Sequence, residues 1–137
     1  MKRTNLITII ISILFIANCA KADLNISLKE YLDGKDLEKG STQIYLLKRC
    51  SAVYAYASGI VLKSDAVSSK NFIEISNNLL FKSVELMVID ENKKLEEAQD
   101  EAEKNRKELF SNYIADGKKK WEKNKPHFKG DDLIEDM

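Results

Sequence analysis

Between Asn71 and Asp116 the chain runs for 46 residues without a glycine or a proline. Nothing in that stretch alternates in the manner of a strand, whereas its apolar residues follow a helical repeat. Phe81, Val88, Leu95, Ala102 and Leu109 recur every seven positions, with Val84 and Ala98 at companion positions. The phase passes through Asp90-Glu91-Asn92-Lys93-Lys94 without slipping. The pattern therefore predicts one long helix from about residue 70 to residue 124, with a break at Asp90–Lys94 as the alternative. A helix over residues 71–116 would be about 70 Å long at 1.5 Å per residue.

A second helix is predicted over 41–63. Leu46, Cys50, Val53, Ala57 and Ile60 fall on one face, and Leu47, Tyr54 and Val61 recur every seven on the next. A helix apolar on most sides is buried at the centre of a fold. Ser51, Ala55, Ser58 and Gly59 form a line of small side chains that permits another backbone to come close. The natural partner is the apolar stretch Phe72–Ile89, which offers Ile73, Ile75, Leu79, Leu80, Val84, Leu86 and Met87. The charged half of the long helix keeps only a thin seam of Leu95, Ala98, Ala102, Leu109, Tyr113 and Trp121, the first five being the candidate partner surface. So narrow a stripe suits a coiled-coil-like pairing of two helices better than a bundle core.

The N-terminus reads as an address. Met1-Lys2-Arg3 is followed by an apolar run, Leu6 to Ala17, and by Ala20-Lys21-Ala22. A basic start, a short apolar core and an A-x-A site together specify a secretory signal peptide cleaved after Ala22. The apolar run is too short for a spanning helix. Ile16-Ala17-Asn18-Cys19 resembles the lipobox of bacterial lipoproteins, with Asn18 where that motif carries a small residue. It implies lipidation at Cys19 as the lesser route. After the signal, Ser27-Leu28-Lys29-Glu30 has capping-box spacing, and Ile26 and Tyr31 sit where a hydrophobic staple would close. A short helix over 27–33 and a polar linker, Gly34 to Gly40, are expected. The organisation is thus a signal peptide (1–22), a short helix and linker (23–40), a helical domain (41–125) and an acidic tail (126–137).

Charge and side-chain inventory narrow the function. The chain has 22 basic and 22 acidic residues; losing the signal removes Lys2, Arg3 and Lys21, leaving 19 against 22. No bulk positive field favours nucleic acid. One histidine, His127, excludes most triads and dyads, and no C-x-x-C or glycine-rich phosphate loop occurs. The acids at 96–103 read as a solvated helix face. No catalysis, cofactor or metal is expected. Cys50 is the candidate thiol, expected to be buried as a small hydrophobe. Lys118, Lys119, Lys120 and Trp121 read first as a cationic helix C-terminus and second as a contact for an anionic surface.

These observations predict an all-α protein, a helical hairpin or three-helix bundle with one long C-terminal helix, exported to the periplasm or secreted. Its expected role is a non-catalytic binding or assembly module. It would act through the charged long helix, presenting the seam to a protein partner or a second copy. The alternatives are a soluble carrier holding a small apolar ligand between helices 41–63 and 70–89, and, if Cys19 is processed, a lipid-anchored envelope protein.

Overall fold

The computed structural model describes residues 27–123. The signal peptide, the lipobox with Cys19, the Ile26 half of the staple and the tail 126–137 lie outside them. The fold is all-α, with four helices and no strand among the described residues.

Helix α1 (Leu28–Leu32) is opened by Ser27, whose hydroxyl accepts from the Glu30 amide at 3.2 Å, half of a capping box. Leu28 is buried, and Tyr31 stacks on Tyr45 with ring centroids 3.9 Å apart. Gly34 ends the helix at φ +69°, a conformation that costs glycine little. Helix α2 (Gly40–Val61) begins where its first residue meets the Asp90 side chain, and a β-carbon at Gly40 would collide with that carboxylate.

Helix α3 (Ala66–Asp90) is capped by Asp65, which accepts from the Val67 and Ser68 amides at 3.1 and 2.9 Å. The start signal thus lies several residues ahead of the predicted beginning near residue 70. A short side-chain acceptor only has to sit two or three residues before the orphan amides. Hydrogen bonds to Ser68 hold the Asp65 carboxyl below the usual range.

Helix α4 (Leu95–Glu122) is separate from α3. The expected continuous helix from 70 to 124 does not form. Glu91 and Lys93 both return their amides to the Met87 carbonyl, each at 3.3 Å, and Asn92 between them takes φ +53°. Asparagine is among the few non-glycine residues that visit this left-handed region readily. The chain then reverses, so α2 and α4 run parallel and α3 antiparallel to both. The result is a three-helix bundle, with α1 packed through Tyr31 near the start of α2.

Two serine pairs lie in the α2–α3 contact. Ser51 Oγ donates to the Ser76 carbonyl at 2.8 Å, and Ser76 Oγ donates to the Ser51 carbonyl at 2.7 Å. Seven residues along each helix, in opposite directions, Ser58 Oγ donates to the Ser69 carbonyl at 2.9 Å. All four are buried. A hydroxyl reaching the neighbour's carbonyl requires the two backbones to be close, as the line of small residues on α2 allows. Ser83 continues the ladder on α3, donating to the Leu80 carbonyl within its own helix at 2.7 Å. Of the apolar residues expected to face α2, Leu80, Val84 and Met87 are buried, but Ile73 and Ile75 are exposed.

The core divides along the bundle. One cluster joins Ile44, Leu80, Val84 and Met87 to Ala98 and Ala102; the other joins Ala52, Val53 and Tyr56 to Leu109 and Tyr113. In the second, the Tyr56 ring lies 6.0 Å from Tyr113 and meets Phe110 edge-on at 6.4 Å.

Candidate functional site

The seam predicted to face a partner is used inside the molecule. Ala98, Ala102, Leu109 and Tyr113 are all buried against α2 and α3, because the break at 91–94 lets α4 fold back along its own chain. They are not available to a second protein in this fold. Leu95, the fifth seam residue, is the exception and stays 58% exposed.

Leu95 belongs to a different surface. At the corner where α3 hands over to α4, it lines a shallow groove with Phe81, Val84, Glu85, Val88 and Ile89. The volume is about 200 Å³. Phe81 is 69% and Ile89 61% exposed, which is unusual for side chains of that size grouped together. Phe81 and Val88 lie two turns apart on one edge of α3, and the reversal sets the first residue of α4 beside them. Glu85 is paired with Lys82 at 2.8 Å, leaving a groove lined by five apolar side chains and one acid.

An ion-pair cluster fixes this corner from the other side. Glu101 of α4 meets Lys93 of the turn at 2.5 Å and Lys48 of α2 at 3.4 Å, and Lys93 also meets Glu91 at 3.0 Å. Burial opposes the charge of Glu101, but the hydrogen bond from Lys93 and the nearby Lys48 cation outweigh it, holding the carboxyl below its usual range. For Lys93, burial again opposes charge, and the bonds to Glu101 and Glu91 raise its pKa. The cluster ties the turn to both flanking helices. Its carboxylates are saturated by lysines, so what it supplies is position.

The remaining candidates are scattered. Cys50 is half-buried on α2, less enclosed than its place on the apolar face predicts, because α3 approaches along the adjoining serine line. At the far end of α4, Lys118 and Lys119 are exposed, Lys120 folds back to Asp116 at 2.6 Å, and Trp121 is exposed. Burial and the nearby Asp116 charge push the Tyr56 hydroxyl pKa up, keeping the core tyrosine neutral.

The sequence-based reading of the helix over 41–63 leaves out Arg49. It is buried, with Nη1 donating to the Tyr45 hydroxyl at 3.1 Å. A signal was present: Arg49 lies four residues from Tyr45, four from Val53 and seven from Tyr56, on the face that meets the rest of the fold. A buried guanidinium is tolerated only when hydrogen-bonded. Every buried side-chain nitrogen and oxygen among the described residues has a partner. No cluster of three metal-ligating side chains occurs among those residues, and no helix among them is long and apolar enough to cross a membrane. No protein-family model matches the chain, and comparison with curated proteins and solved structures finds no match.

Proposed function

We propose that this chain is a small exported binding module without catalytic activity, whose docking surface is the apolar corner between α3 and α4. The observation that carries the reading is the exposure of Phe81, Ile89 and Leu95 around one groove, in a fold that has already consumed its other seam residues. The reading keeps the sequence-based expectation of a binding or assembly role and moves the surface from the middle of the long helix to its start.

The size of the groove selects the occupant. Small-molecule sites usually enclose about 300–1,000 Å³, and this one offers about 200 Å³ in the open. It suits one or two apolar side chains of a protein partner. A carrier holding its ligand between α2 and α3 is disfavoured by the serine pairs, which bring those helices into direct contact. Stable interfaces bury about 800 Å² per partner, and a surface centred on three large side chains falls short of that. The association is therefore weak and reversible, with a second copy of the chain as the first candidate. Export rests on the signal-like residues 1–22.

Photo-crosslinking tests this directly. Benzoylphenylalanine at position 81, in protein expressed with its native N-terminus in its own cell, should give a discrete adduct on irradiation. The same probe at Lys104, exposed on α4, should not. An adduct of twice the chain mass identifies self-association, and another mass identifies a different partner. No adduct at 81, or the same adducts at both positions, would overturn the reading.

A further inference from the structure

We propose that the opposite end of the bundle is a contact surface for an anionic lipid bilayer. Register brings its parts together. Tyr56 and Tyr113 lie side by side on the parallel helices α2 and α4, their rings 6.0 Å apart. Helix α2 ends five residues past Tyr56, at Val61, and the α2–α3 turn follows it; eight residues past Tyr113, about 12 Å along α4 at the helical rise, stands Trp121 in the last turn of that helix. Three large apolar side chains are exposed at this end: Leu62 at 58%, Val67 at 73% and Trp121 at 69%.

The same segments carry lysines. Lys63 and Lys70 come from the turn and the start of α3, and Lys118, Lys119 and Lys123 from the end of α4; all five are exposed. Lys70 reaches Glu74 at 3.9 Å, a surface pair that holds it weakly. The acids here are largely engaged: Asp65 caps α3, and Asp116 holds Lys120 at 2.6 Å. Glu122 is exposed on α4.

Cations gathered at a helix C-terminus are favoured by the macrodipole alone. That accounts for Lys118, Lys119 and Lys123. It does not account for Leu62, Lys63 and Val67 on another element, or for an exposed tryptophan among them. Exposed apolar side chains, lysines and a tryptophan together at one end of the bundle match the chemistry of an anionic interface: aliphatic groups enter the headgroup region, the indole sits at its level, and the ammonium groups meet phosphates. This surface is independent of the α3–α4 corner, and either can fail without the other.

Trp121 is the chain's single tryptophan, so its fluorescence reports this site. The exported, processed protein is mixed with phosphatidylglycerol-containing vesicles and with pure phosphatidylcholine vesicles. The proposal requires co-sedimentation and a blue shift with the first, a loss of both on raising the salt, and much weaker binding to the second. Lys118→Glu with Lys119→Glu should weaken binding about tenfold or more, and Leu62→Ser should weaken it while circular dichroism is unchanged. Phe81→Ser, at the other end, should leave it unaltered. Binding without a blue shift, binding indifferent to the lysine changes, or equal binding to neutral vesicles would overturn the proposal. So would a blue shift with soluble polyglutamate but none with anionic vesicles, which would assign the surface to an acidic protein.

Discussion

Ser76 decides how closely α2 and α3 approach, and replacing it with leucine tests that approach. The side chain is fully buried, its hydroxyl donates to the Ser51 carbonyl at 2.7 Å, and the two hydroxyl oxygens lie 3.2 Å apart. Leucine forfeits the hydrogen bond, about 1 kcal/mol, and forces a branched group into a space filled by an oxygen. Overpacking of this kind costs about 1–3 kcal/mol. The sum, about 2–4 kcal/mol, is a large share of the 5–15 kcal/mol typical of a domain's stability, and it should lower Tm by on the order of 15 °C. Ser76→Ala isolates the polar part. It removes the hydroxyl without adding bulk, and since both hydroxyls bond to backbone carbonyls that also serve their own helices, no orphaned group is created. Its cost should stay near 1 kcal/mol. Urea titration followed by circular dichroism measures both, with Ile75→Leu on the exposed face of α3 as a neutral control. If Ser76→Leu is no more harmful than Ser76→Ala, the helices are not in close contact there and the serine ladder does not set their spacing.

Two further perturbations test the corner that separates α3 from α4. The Glu101 carboxyl is depressed from its ordinary 4.5 when folded, so its stabilising contribution is complete above that pH and disappears as the pH falls through the lower folded value. Thermal melts of the wild type should therefore decline in acid, and Glu101→Gln should be less stable at neutral pH with a flatter acid profile; parallel profiles would count against the Lys93–Glu101–Lys48 cluster. At Asn92, held at φ +53°, Asn92→Val should cost about 1–2 kcal/mol while Asn92→Gly is tolerated; calorimetry showing the valine variant unharmed would mean that the turn has another conformation.

The helical class and the position of α2 were legible because both rest on local signals. Ser27 caps α1 from its expected place, Gly34 ends that helix, and the small residues Ser51 and Ser58 lie against another backbone. What faces them was not legible. Ser69, Ser76 and Ser83 repeat every seven residues on α3, yet a hydropathy pattern scores serine as solvent-facing, and Ile73 and Ile75 as core. A hydroxyl can satisfy itself on a neighbouring carbonyl, so small size outweighs polarity wherever two helices touch. Arg49 failed for a related reason: its charge said surface, while its spacing from Tyr45 and Tyr56 said interior.

The break at Asn92 falls where the sequence placed its alternative, Asp90–Lys94, but the seven-residue repeat itself weighed against it. A helical seam shows the same period whether it is buried by its own chain or by another protein, so periodicity says that Ala98, Ala102, Leu109 and Tyr113 need a neighbour and leaves the neighbour open. Length supplies the missing argument. A helix continuous from residue 66 to residue 122 would extend about 85 Å, against about 33 Å for the 22 residues of α2. More than half of it would lie beyond any partner within the chain. Reversing at Glu91–Lys94, five polar residues in a row counting Asp90, restores two helices of a length that α2 can accompany. Two members of the repeat do not benefit. Phe81 lies on the edge of α3 away from α2, and Leu95 is the first residue after the turn, too early to be enclosed. They remain outside together, with Ile89 between them in the chain. A surface made from what the intramolecular solution leaves uncovered is where association with another protein would gain the most.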